Sequence, residues 1–543
     1  GAPTVRANWL HGLRQGGILV DEGGKGEYLH NDIESNAKSG VTLRGGCFPI
    51  LRSNLIRNGH DSGVHAMLGG GGLIEDNDIF ENAQAGVAIE TGANPTLLRN
   101  RIFNGKQSGV FCFDKGLGHF VENDIYNNLE AGVQVVEGAD PTLERNTLRE
   151  QRRETIKEGH KTASVVEVPA VWVHSSGRGT FRDNVIRDSW WHGVVVGQDA
   201  SPLLQHNQMH DNRKAAVFVQ DGGIPTLLEN EIWRNTVGVE CIDDAAPILR
   251  ANDMHHHKLG AVWVYKGASG TYEDNDMHHN GKAAVRVWNG GDPLVRRNRI
   301  REGRTVGILV YEFGRGHFVE NEIFGHASWN IEVKRSGLPT IEKNRIHSSR
   351  HGGVICHGGK GTHIESEEVR FKLLDNDIYS NTGVGISIGE DARPLVESNR
   401  IYGKHTAGVY VAGSAARGTV KNNEIYDNCD GIVVREGGAP TVVENQIRDH
   451  SRRGVLVCAR GQGTFIENTI SDSAWSNIEV RGEAPTKEPE VEANELNLKK
   501  KAYASLGMLV PLSTEGVVIA GAITDESTAT SVTLRKNVLI GGG

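Results

Sequence analysis

The chain has 543 residues, 59 Lys and Arg against 68 Asp and Glu, and a formal net charge of −9 at neutral pH. Spread along the chain, that balance argues against a basic groove for nucleic acid, and the lack of an 18-residue apolar run argues against a membrane-spanning helix. The length is beyond an ordinary single globular domain, which a repeat architecture explains because each repeat contacts only its neighbours.

A repeat is present. The frame N-x-I, a gap, then G-V-x-V recurs about every 23 residues, in twenty copies that run from Asn8, Asn31, Asn54 and Asn77 to Asn445 and Asn468. A helical hairpin repeat needs roughly 33 residues, and no copy carries a helical apolar stripe. Words such as Gly109-Val110-Phe111-Cys112 and Gly408-Val409-Tyr410-Val411 alternate as strands with one buried face do. The spacing therefore predicts an all-β fold, a right-handed parallel β-helix with one coil per copy, residues 1–483. At about 4.8 Å per coil it would be roughly 95 Å long. The recurring Asn is expected to stack as a hydrogen-bonded ladder at one corner.

In chain order, the sequence opens in mid-coil with Gly1-Ala2-Pro3-Thr4. Coils starting with Pro, such as Asn94-Pro95-Thr96, are expected to alternate with coils starting with Gly, such as Gly118-His119-Phe120. Two coils carry insertions, near 151–168 and 363–372, which in solenoids form loops. Ser189-Trp190-Trp191, Ser328-Trp329 and Trp475-Ser476 lie six coils apart, as a duplication trace or as equivalent contact points. Residues 484–501 read as a linker or decayed coil. Residues 502–543 return to strand-like words and read as a β-rich tail or cap.

Chemistry must come from the outward rows. The middle residue of G-V-x-V, from Leu19 and Thr42 through Phe111, Trp172, Phe218 and Trp263 to Tyr410 and Glu479, is unusually apolar for an exposed sheet face. Such surface marks contact with a partner. Tyr265, Trp288 and Tyr311 on the next row extend it into an aromatic patch able to seat a sugar or a protein segment. A carbohydrate site would add Asp243, Asp244 and Arg286, although the two Asp fall where a turn is expected. Glu240, Glu332 and Glu479 are separated by several coils, so no carboxylate pair at glycosidase spacing is evident. His255 and His278 are weak metal-ligand candidates, with no Cys or carboxylate in a defined pattern beside them. No metal and no cofactor is expected. The inward positions of Cys112, Cys241 and Cys356 make them small core residues rather than disulfide partners, which leans towards an intracellular, cytoplasmic or cytoskeletal setting.

Words such as Asn94-Pro95-Thr96-Leu97-Leu98-Arg99-Asn100-Arg101-Ile102 and Phe80-Glu81-Asn82-Ala83-Gln84-Ala85-Gly86-Val87 resemble the repeats of the β-helix F-box proteins. The resemblance covers residues 1–483. It implies a β-helix that recognises a protein substrate, while in that family an F-box recruits a ubiquitin ligase. No helical F-box stretch and no Cys/His-rich zinc domain is found in this sequence. The first expectation is thus a non-catalytic scaffold that binds other proteins in a large assembly. The second is a carbohydrate-binding or carbohydrate-cleaving β-helix. The third is the recognition part of a ubiquitin-ligase receptor.

Overall fold

The computed structural model describes residues 1–151, 168–358, 371–482, 491–492, 517–521, 532–535 and 537–540. The insertions near 151–168 and 363–372 and the stretch 484–501 fall almost wholly outside the described residues. The chain divides into two compact units, Gly1–Asp276 and Met277–Gly543. Each is a parallel β-solenoid, and the described residues hold strands and no helix.

In unit 1 every coil has three short strands. Thr4–Arg6, Trp9–His11 and Ile18–Val20 make up the first coil, and each pairs in parallel with its counterpart one coil on. The strands stop after about three residues because the chain turns a corner there. Ala7, His30, Ser53 and Asp76, between the first and second strands, have φ of 53 to 54°. Left-handed backbone at a non-glycine residue is strained; here the paired strands on both sides hold it.

The core follows from strand alternation. The inward residues of the first and second strands, such as Leu97 with Ile102 and Phe120 with Ile125, are fully buried. On the third strand the flanking residues point in, as Val110 and Cys112 do, and the middle one points out. Cys112, Cys241 and Cys356 are buried, unbridged core residues, and burial pushes the Cys241 and Cys356 thiols up to about 12.

The Asn column forms the expected ladder. Asn54 donates its backbone N–H and its Nδ2 to Asn77 Oδ1, both at 2.9 Å, and its Nδ2 also reaches Tyr28 O at 2.8 Å. Every polar atom of the buried amide is thereby used, as burial demands. The same pattern runs to Asn275 in unit 1 and from Asn298 to Asn468 in unit 2.

A second ladder lines the corner between second and third strands. Its residues are mixed. Asn36, Asn82, Asn128, Gln151, Asn212, Asn235 and His257 accept backbone N–H groups one coil back, and most donate to a carbonyl on that same preceding coil. In unit 2 the column holds His326, Asn381, His405, Asn428 and His450.

The Pro–Gly alternation is broken at Phe371, which holds a Gly position between Pro339 and Pro394, and in a run of prolines. Pro202, Pro225 and Pro247 begin three consecutive coils, so Pro stacks on Pro without difficulty. Gly is the constrained partner. Gly270 has φ +108°, and a Cβ there would lie 2.6 Å from Pro247 O and 2.9 Å from Pro247 Cδ. Gly270→Ala is expected to cost about 1–3 kcal/mol through backbone strain and this clash, read as a lowered denaturation midpoint. The same change at exposed Gly23, which has positive φ but no neighbour within 4 Å, separates strain from clash.

In unit 2 the last sequence segment joins the solenoid. Val517–Gly521 pairs with Ser476–Gly482, Val532–Arg535 with Gly463–Ile466, and Val538–Ile540 with Thr469–Ser471. Asn537 then continues the Asn ladder, accepting the N–H and Nδ2 of Asn468 at 2.9 Å.

Candidate functional site

The third strands present the outward row, and the row is less open than its composition suggests. Ala88, Val195 and Val433 are buried. Val195 pairs with Trp172 on one side and Phe218 on the other, and rings one coil away are wide enough to close over a small side chain. Leu19 and Trp172 stay exposed, at 58% and 36%. The expected continuous apolar face is therefore a series of half-buried aromatic clusters.

Several clusters lie in unit 1. Phe111 stacks on Phe113 at 4.7 Å, and Trp172 leans on His174 at 4.4 Å. His174 also meets Gln134 Nε2 at 3.0 Å, and burial lowers its pKa. Phe218 stacks on His192 at 4.5 Å; His192 is buried, with its pKa lowered to about 3 by burial and by nearby Lys214.

The most chemically distinctive group is Glu240. It sits between Phe218 and Trp263 on the adjacent coils. The Tyr265 hydroxyl donates to Glu240 Oε1 at 2.7 Å. Burial raises the carboxyl pKa, opposed by the Tyr265 hydrogen bond and by Lys214. Tyr265 is pushed up in turn, by burial and by the Glu240 carboxylate. A half-buried carboxyl with a perturbed pKa between two aromatic rings is a functional-site candidate on physical grounds. The spacing of the outward row places Phe218, Glu240 and Trp263 on successive coils, but does not show the Tyr265 hydrogen bond or the burial that set Glu240 apart.

Asp243 and Asp244, with φ of 50 and 60°, form the turn after that third strand. Asp243 is 3.8 Å from Lys266. They are turn residues rather than a carboxylate pair aimed at a ligand. His255 stacks beside Trp233 and shares a 2.7 Å contact with His256. Among the described residues no three His, Cys, Asp or Glu side chains converge to hold a metal ion, and no helix is long and apolar enough to cross a membrane.

Unit 2 places the remaining candidates. Arg286 lies over the Trp288 and Tyr311 rings, at 4.6 and 5.0 Å, and also meets the Tyr311 hydroxyl. Tyr311 is buried, 7% exposed, and so adds little contact surface. His278 pairs with His279 at 2.7 Å. Tyr410 is half-buried beside Val433. The second strands carry a separate ring column, Phe324, His347, Tyr379, Tyr402 and Tyr426, stacked at 4.7 to 5.3 Å. These rings cover each other's faces, so they stiffen the sheet rather than offer a platform.

Comparison with solved structures finds only distant similarity. A double mutant of the periplasmic alginate epimerase AlgG is similar at a TM-score of 0.34 and 13% identity, over 58% of this chain and 74% of that one. The catalytic unit of a GH87 α-1,3-glucanase from Streptomyces thermodiastaticus strain HF3-3 gives 0.37 and 12%, over 61% and 64%. The A-module of the Azotobacter vinelandii mannuronan C-5 epimerase AlgE6 gives 0.28 and 14%, over 75% and 91%. No curated protein matches the chain. The family model described as right handed beta helix region matches residues 1–148, 155–271, 244–372 and 363–537. Three parallel strands per coil, inward aliphatic rows and a continuous corner ladder agree with that match, and the chain belongs to the right-handed β-helix family.

Proposed function

We propose that the protein binds a carbohydrate polymer along the outward face of the third strands of unit 1. The observation that carries this reading is Glu240, held between Phe218 and Trp263 with its carboxylate ordered by Tyr265. Aromatic rings give a sugar its apolar contact, and a fixed acceptor between them takes a sugar hydroxyl. Coil spacing of about 4.8 Å sets the rings in a row that suits an extended chain.

Binding by the intact protein is the test, read as retardation in native gels cast with soluble polysaccharides. Trp263→Ala combined with Phe218→Ala is expected to weaken retardation at least tenfold while leaving the circular dichroism spectrum unchanged. Equal retardation of the double variant would remove this face from the reading. A protein-binding scaffold predicts no retardation by any polysaccharide and a stable assembly in gently lysed source cells.

A further inference from the structure

We propose that the ligand of this face is an uncharged glycan and not a polyuronate, an inference that rests on the carbohydrate reading above. The middle row of the third strands in unit 1, from Leu19 to Trp263, contains no Lys or Arg. The next outward row, from Asp21 to Tyr265, contains one, Arg44, and Asp21 takes it at 2.7 Å. A polymer bearing a carboxylate on every sugar needs cationic forks at sugar spacing, and neither row supplies them.

At the centre stands a carboxylate. With Tyr265 donating to one oxygen, Glu240 is an acceptor for ligand hydroxyls. A uronate stacked between Phe218 and Trp263 would set its own carboxylate against Glu240, and two such groups cannot both stay ionised at short range. Lys214, which acts on Glu240, is exposed, and Lys266 lies beside Asp243 at 3.8 Å. An uncharged sugar meets none of these obstacles: its ring faces the aromatics and its hydroxyls donate to Glu240.

The test uses the full chain in native gels containing barley β-glucan, hydroxyethylcellulose, alginate or polygalacturonate, at pH 7 and low ionic strength. Retardation by at least one neutral polymer, with none by the two polyuronates, is expected. Glu240→Lys should shift the preference towards alginate by tenfold or more, and Glu240→Gln, a gentler change, should shift it in the same direction. Retardation of the wild type by alginate or polygalacturonate but by neither neutral polymer would overturn this inference and leave the carbohydrate reading standing. Retardation by none of the four would remove both.

Discussion

Arg453→Ala is expected to destabilise unit 2 by about 3–5 kcal/mol, the usual cost of leaving a buried charge without its partner. The Arg453 side chain is 2% exposed although it lies at the edge of a third strand. It bridges Asp430, at 3.2 Å, and Glu479, themselves nearly buried. Arg452 backs the other oxygen of Asp430 at 3.7 Å, and Arg481 that of Glu479. The Trp475 ring covers the cluster, 4.8 Å from each of Arg452 and Arg453. Removing the guanidinium leaves each nearly buried carboxylate with only its more exposed arginine, Arg452 for Asp430 and Arg481 for Glu479. The check is a denaturant midpoint for the single variant and for a triple variant with Asp430→Ala and Glu479→Ala. Partial recovery in the triple identifies the under-compensated carboxylates as the cause. An equal loss assigns the cost to packing under Trp475.

Acidification is expected to weaken unit 2 through its buried histidines. His326 accepts the Gly303 N–H at Nδ1, and its Nε2 meets Ile300 O. His405 lies between Asn381 and Asn428, and His450 accepts the Asn428 N–H. Burial lowers all three to about 4, against small opposing pulls from Glu302 on His326, the Asn428 side chain on His405 and Asp449 on His450; Arg448 lowers His450 further. The unfolded chain titrates near 6.5 and therefore binds more protons than the folded one between about pH 6.5 and 4. The contribution of each neutral histidine is complete above 6.5 and is lost as pH falls towards 4, on the order of 3 kcal/mol per group. His405→Asn puts in that column the residue found at Asn381 and Asn428, and should shrink the stability difference between pH 7 and pH 4.5. Carboxylates titrate in the same window, so the comparison of variant with wild type isolates the histidine share. An unchanged pH dependence would show that His405 is already solvated.

Legibility in the sequence follows from how strictly each position repeats. N-x-I and G-V-x-V recur because their side chains have one inward environment, so coils, strands and the Asn ladder could be read from spacing. The second ladder was not, because its geometry accepts Asn, Gln and His alike: Asn36, Gln151 and His257 share a column but no letter. Asn537 escaped for another reason. It follows Asn468 by 69 residues instead of about 23, so periodicity lost it although the hydrogen bond is the same. At the candidate site, Phe218 and Trp263 were readable as outward rings. The buried state of Val195 and Tyr311 was not, since it depends on the size of side chains on neighbouring coils. Glu240 stood in the right row, yet its altered acidity arises from lateral neighbours that a linear reading places more than twenty residues away.

The Asn ladder also gives each unit a direction. From Asn31 to Asn252 every amide offers Nδ2 to the Asn of the following coil and Oδ1 to that of the preceding one, with none reversed. Along this ladder the two faces of a coil are consequently unlike, because the amide oxygen is offered only to the preceding coil. Aligned amides polarise one another, so each bond is strengthened by those above and below. If two coils part, the gap opens between complementary surfaces that fit in only one register and one orientation. A local breach is thus self-guiding: the pattern that holds the stack closed also steers its reclosure.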